Sequence, residues 1–176
     1  MRRQRNQRIS VIAATLLLTC AAIAKAQEEP IPSQWAGFCN PSGTWMASSD
    51  TGGVFLVTIA PAALGEFSSV TETVAFDPSF GGALPAVDAT IGRSSSKRRG
   101  LRAFDAVGLR YAWGADLAVV WIEKAVTTTV LNAGCKTGVV DGLFHYYASA
   151  QDPFGTEPPA YGTFPGHIDL VRLPSP

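Results

Sequence analysis

The chain is short of the side chains on which most chemistry depends. Its 176 residues include two histidines, His145 and His167, and three cysteines. No histidine pair or third thiol stands at zinc-like spacing. There is no Gly-x-Ser-x-Gly elbow and no glycine loop of the phosphate-binding kind. Asn40-Pro41-Ser42 is no glycosylation acceptor, because proline fills its middle position. These absences lead to an expectation of no catalytic set, no cofactor and no metal. No window sustains an apolar repeat of 3.6 residues over helical length, and no internal repeat or low-complexity tract interrupts the chain.

Long apolar runs are also missing. The one candidate, ISVIAATLLLTCAAIA, is shorter than the roughly 20 residues that span a bilayer. It follows the basic segment MRRQRNQR and precedes Ala24-Lys25-Ala26, a small-x-small exit. That order reads as a secretory signal over residues 1–26. Export places the product in the periplasm or outside the cell, with no transmembrane span in the mature chain. A minority alternative is lipid anchoring at Cys20, within Leu17-Leu18-Thr19-Cys20. Residues 27–38, polar and bearing proline, read as a flexible leader, and 39–176 as one β-barrel domain.

The mature chain lacks basic excess. The signal holds five of the 14 basic residues and none of the 14 acidic ones, so nine Lys/Arg face 14 Asp/Glu, a formal charge of −5. A nucleic-acid partner would need a basic face. The one basic cluster, Lys97, Arg98, Arg99 and Arg102 behind Ser94-Ser95-Ser96, reads as a solvated loop leading into a strand; the alternative is a patch for an anionic partner. Two cysteines remain after cleavage, Cys39 and Cys135. An even count in an exported chain predicts one disulfide, against the alternative of two free thiols.

What the chain does have is many short β-branched and aromatic segments punctuated by Gly, Pro and Asp. That predicts an all-β fold, a barrel or a sandwich. The expected strands are GTWMASS, VFLVTIA, SSVTETVAF, RGLRAFDAV, GLRYAWG, LAVVWIEKAVTTTVL, VVDGLFHYYAS and GHIDLVRL, with FGGALPAVDATIG the weakest. In SSVTETVAF, Val70, Val74 and Phe76 share one face. In GLRYAWG, Leu109, Tyr111 and Trp113 alternate with Arg110 and Ala112, as in a half-buried strand. The segment QDPFGTEPPAYGTFPG joins the last two strands and is too long for a tight hairpin.

Gly43-Thr44-Trp45 on the first strand and Arg172 on the last resemble the pair used by the calycins, the lipocalin and avidin group. The resemblance spans the ends of the mature chain; the usual Thr-Asp-Tyr and later arginine-bearing lipocalin motifs are absent. It implies a single antiparallel up-and-down barrel of about eight strands. Trp45 would seal one end, with Arg172 against it and Gly43 leaving room. The competing assignment for Trp45 is an ordinary core tryptophan of a β-sandwich.

Three functions remain open. The first is an exported bacterial barrel holding a small apolar or amphipathic ligand among Phe76, Phe104, Tyr111, Trp113, Trp121, Phe144, His145 and Tyr147. The second is a surface-interaction protein resembling the periplasmic protease inhibitors of bacteria, whose leader enters an enzyme cleft. The third is an isomerase or cyclase, as in the barrel that allene-oxide cyclases resemble. There an inward His145, grouped with Tyr111, Tyr147, Asp141 and Glu72, would move a proton.

Overall fold

A computed structural model describes residues 38–174. The signal, Cys20 and the leader up to residue 37 lie outside the described residues. Nine strands run in chain order: β1 Gly43–Ser49, β2 Val54–Ala63, β3 Glu66–Ala75, β4 Ala86–Ala89, β5 Gly92–Arg98, β6 Ala103–Gly114, β7 Val119–Leu131, β8 Thr137–Ala148 and β9 Thr163–Arg172. All pair antiparallel in the order β6-β5-β3-β2-β1-β9-β8-β7, and a β6–β7 ladder closes the ring. Eight strands therefore make an up-and-down barrel. The short β4 lies in line above β5, paired to the upper part of β6. Among the described residues no helix is long and apolar enough to cross a membrane.

Closure brings the first and last strands together, with the barrel's plugged end at the lower rim. Trp45 stands opposite Arg172 in the β1–β9 register. The Arg172 guanidinium lies 5.3 Å from the indole, and the buried indole donates from Nε1 to Pro41 O at 2.8 Å. Gly43 has φ +127°, and a Cβ there would meet Arg172 Nη2 at 3.1 Å. The glycine thus makes room for the arginine side chain rather than for a second backbone. Arg172 also donates to the carbonyls of Asn40 and Ser42. Cys39 and Cys135 form a disulfide across this end, tying the segment before β1 to the β7–β8 turn. Phe67, Phe104 and Leu131 complete the plug.

The basic cluster is the first correction. Ser94-Ser95-Ser96 and Lys97 are not loop but β5, paired with β3 and β6 on its two sides. Two completed ladders hold polar residues in a strand that propensity disfavours. Alternation splits them: Ser94 and Ser96 face in, while Arg93, Ser95 and Lys97 are exposed. Arg98 turns to the plug. It sits 4.7 Å from the Phe104 ring and donates to Cys39 O at 2.7 Å, and burial pulls its pKa down. Residues 103–107 of RGLRAFDAV and GLRYAWG are likewise one strand, β6, because Gly108 sits mid-ladder opposite Ala125 and Ser94; Arg99 and Arg102 of the basic cluster do lie in the connection leading into it.

The second correction concerns faces. In β6 it is Arg110 and Ala112 that are buried inward, while Leu109 and Tyr111 point out. In β3, Thr71 lines the interior and Val74 is exposed. Eight strands enclose a bore just wide enough for side chains. Large apolar residues on every inward position would overfill it, so several strands turn small or polar residues in.

Candidate functional site

The barrel is plugged below and open above. The upper rim is built from the β1–β2 hairpin, the segment between β3 and β4, and the start of β9. Two cavities follow one another down the axis. The mouth, about 670 Å³, is bordered by residues 49–53, 75–77, 80–81 and 164–168. Beneath it lies an inner chamber of about 170 Å³. Phe55, Arg110, Glu123, Phe144 and Ile168 border both and so form the neck between them.

The chamber has two unlike walls. Strands β1, β2, β8 and β9 present Ala47, Phe55, Val57, Ile59, Val140, Phe144, Ile168 and Leu170. Strands β3, β5 and β7 present Ser69, Thr71, Ser94, Ser96, Thr127 and Thr129, with the small Ala106, Gly108 and Ala125 of β6 and β7 among them. The seams fall between β2 and β3, where Ile59 stands opposite Ser69, and between β7 and β8, where Thr129 stands opposite Val140. Ser69 and Ser94 are hydrogen-bonded to each other at 2.5 Å. The bore is thus divided lengthwise into an apolar and a hydroxyl-bearing half.

A buried ion pair occupies the neck. Arg110 of β6 and Glu123 of β7 are register partners, with Nη2 to Oε2 at 2.6 Å and both side chains 8% exposed. Tyr146 of β8, opposite Glu123 in the next ladder, donates its hydroxyl to the same Oε2 at 2.9 Å. Burial, then the charge of Glu123, pushes the phenol far above its usual range, so it stays a donor. Arg110 Cζ lies 4.4 Å from the Phe76 ring, 5.3 Å from Phe55 and 5.8 Å from Trp121. Those faces favour a desolvated cation. Phe80 closes over the group, 5.1 Å from Tyr146 and 5.8 Å from Trp121. Its φ of +52° is unfavourable for a bulky residue. Asp77, accepting from Ser79 and Gly81, holds that turn, and these bonds lower the Asp77 pKa.

The residues proposed from sequence divide by face. Phe76, Trp121 and Phe144 gather around the neck, and Trp121 also donates from Nε1 to Pro78 O at 3.0 Å. Phe104 points inward but belongs to the plug, against Phe67 at 5.5 Å. Tyr111 lies on the outer face. Trp113, half-buried, points opposite Ala112 and lines neither cavity. His145 and Tyr147 are also outside, because their strand neighbours Phe144 and Tyr146 face in, and successive side chains oppose. His145 Nδ1 meets Thr163 Oγ1 at 2.8 Å, and its register partner Lys124 donates to Pro153 O at 3.0 Å. Lys124 thereby ties the long β8–β9 loop to the outer wall. Tyr147 and Ile122, one row higher on that face, are buried.

The grouping of His145 with Tyr111, Tyr147, Asp141 and Glu72 therefore does not form inside. Glu72 is exposed, and Asp141 pairs outside with His167 at 2.6 Å. The cyclase-type proposal, which needed an inward His145, loses its residue. Arg110, Glu123 and Tyr146 were not singled out in the sequence. Parity carried the signal: if Trp121 faces in, so does Glu123, and if Phe144 faces in, so does Tyr146. Among the described residues no group of His, Cys, Asp and Glu could hold a metal ion.

No protein-family model and no curated protein matches the chain. A solved structure of a redesigned β-barrel is similar, with a TM-score of 0.47 and 11% identity over 76% of this chain and 91% of that one.

Proposed function

We propose that this is an exported, calycin-like barrel that binds a small amphipathic molecule, entering by the open mouth and seated with its polar edge on the hydroxyl wall. The observation that carries the reading is the lengthwise division of the chamber. A structural barrel needs only a filled bore. Here about 170 Å³ is left between a wall of aliphatic and aromatic groups and a wall of serines and threonines. The mouth above, about 670 Å³, falls within the usual range of ligand sites. The inhibitor-like alternative expects a bore packed solid, and the cavity weighs against it.

Native mass spectrometry of the protein purified from the exported fraction tests this. The expected result is a co-purifying molecule of a few hundred daltons, lost when Val57 and Ile59 are both enlarged to phenylalanine. An empty protein that also fails to take up any apolar fluorescent probe would defeat the reading.

A further inference from the structure

The neck holds a donor that nothing among the described residues uses. Arg110 Nη2 is committed to Glu123, but Arg110 Nε is buried and has no acceptor among the described residues. The surrounding rings stabilise the charge without accepting a linear N–H bond of ordinary strength. A buried donor without a partner carries a desolvation cost, which an arriving acceptor removes. Arg110 borders both the mouth and the chamber, so an incoming molecule meets it at the neck.

The charges decide what that acceptor is. Three carboxylates, Asp50, Asp77 and Glu123, border the mouth, against Arg110 and His167, and His167 is itself paired with Asp141 at 2.6 Å. Arg110 is already neutralised by Glu123 at 2.6 Å. A second anion would enter a neck with no uncompensated positive charge, past like charges. An uncharged oxygen acceptor meets no such penalty.

We propose that the ligand is an uncharged molecule bearing a carbonyl-type oxygen on an apolar frame, and that Arg110 is the residue that selects for this oxygen. The inference rests on the binding reading above and supplies its chemical class. The oxygen takes the free guanidinium edge and the frame lies along Phe55, Phe144 and Ile168. The pair with Glu123 stays intact and holds the guanidinium in place.

Three probes of one shape test it: acetylnaphthalene, ethylnaphthalene and naphthoate, each titrated calorimetrically into the disulfide-bonded protein. The expected order is acetylnaphthalene roughly tenfold tighter than ethylnaphthalene, with naphthoate weaker than the ketone. In the variant Arg110→Met/Glu123→Met/Tyr146→Phe, which removes the whole polar group without stranding a charge, the ketone and hydrocarbon should bind equally. Arg110→Lys keeps the charge opposite Glu123 and loses Nε–H; the preference should shrink there too, which guards against misfolding of the triple variant. Equal binding of ketone and hydrocarbon by the wild type would overturn this inference while leaving the binding reading standing. So would a preference that survives both variants, or a preference for naphthoate. Failure of all three probes to bind the wild type would overturn the binding reading and this inference with it.

Discussion

Replacing Arg110 with methionine should be among the most damaging single changes in the barrel, and replacing Glu123 as well should repair much of the damage. Both side chains are 8% exposed and meet at 2.6 Å. Arg110→Met leaves the Glu123 carboxylate in the neck with the Tyr146 hydroxyl as its remaining partner. Breaking one side of a buried pair costs about 3–5 kcal/mol, because the stranded charge is uncompensated. Glu123→Met strands the guanidinium among Phe55, Phe76 and Trp121, with a similar cost reduced slightly by the rings. In the double variant no charge remains. Methionine fills irregular space, and the main residual loss is the acceptor of the buried Tyr146 hydroxyl, about 1–3 kcal/mol. The assay is urea unfolding with the disulfide intact. At a slope of about 2 kcal/mol/M, each single variant should lower the midpoint by roughly 1.5–2.5 M and the double by roughly 0.5–1.5 M, far less than the two singles together. A double variant as unstable as the sum of the singles would refute the reasoning, since the two groups would then be independent and solvated.

Other outcomes follow from the same structure. Replacing both Cys39 and Cys135 with serine opens a loop of 96 residues and should cost about 4–5 kcal/mol in the chain-entropy picture; an unchanged urea midpoint would contradict it. Gly142→Ala should lose about 1–3 kcal/mol by overpacking, because a Cβ there would lie 2.7 Å from Thr127 Cα; calorimetry of the thermal transition reads the loss. His167 should titrate above the usual histidine value, held up first by its bond to Asp141, and Asp141→Asn should bring it back down in an NMR titration. Because the folded-state pKa is raised, any stabilisation from this contact is complete below about 6.5 and fades as pH rises through the folded value.

The β-rich pattern was open to sequence reading because local chemistry sets it. GTWMASS coincides with β1, and the β-branched run from Val119 to Leu131 is a single strand, as its side chains require. The disulfide followed from an even cysteine count, and the barrel seam from Trp45 and Arg172, which the register places opposite one another. The strand β5 was not legible, since GRSSSKR has no intrinsic preference for extended structure. It becomes a strand because β3 and β6 each offer it a row of unpaired backbone groups.

The candidate site was less legible for a related reason. Alternation in GLRYAWG or LFHYY establishes that two faces differ, but it does not say which face is the inner one. Hydrophobicity pointed to Leu109, Tyr111 and Trp113, whereas the folded chain buries Arg110 and Ala112. An arginine is stable there only because Glu123 arrives on the adjacent strand and Tyr146 on the one after it, both at the same level. The sequence by itself determined that strands would form, where most of them run and which ends would meet. Only the closed sheet decided which side of each strand became the interior, because burying a charge depends on partners that register, and not neighbouring sequence, brings within reach.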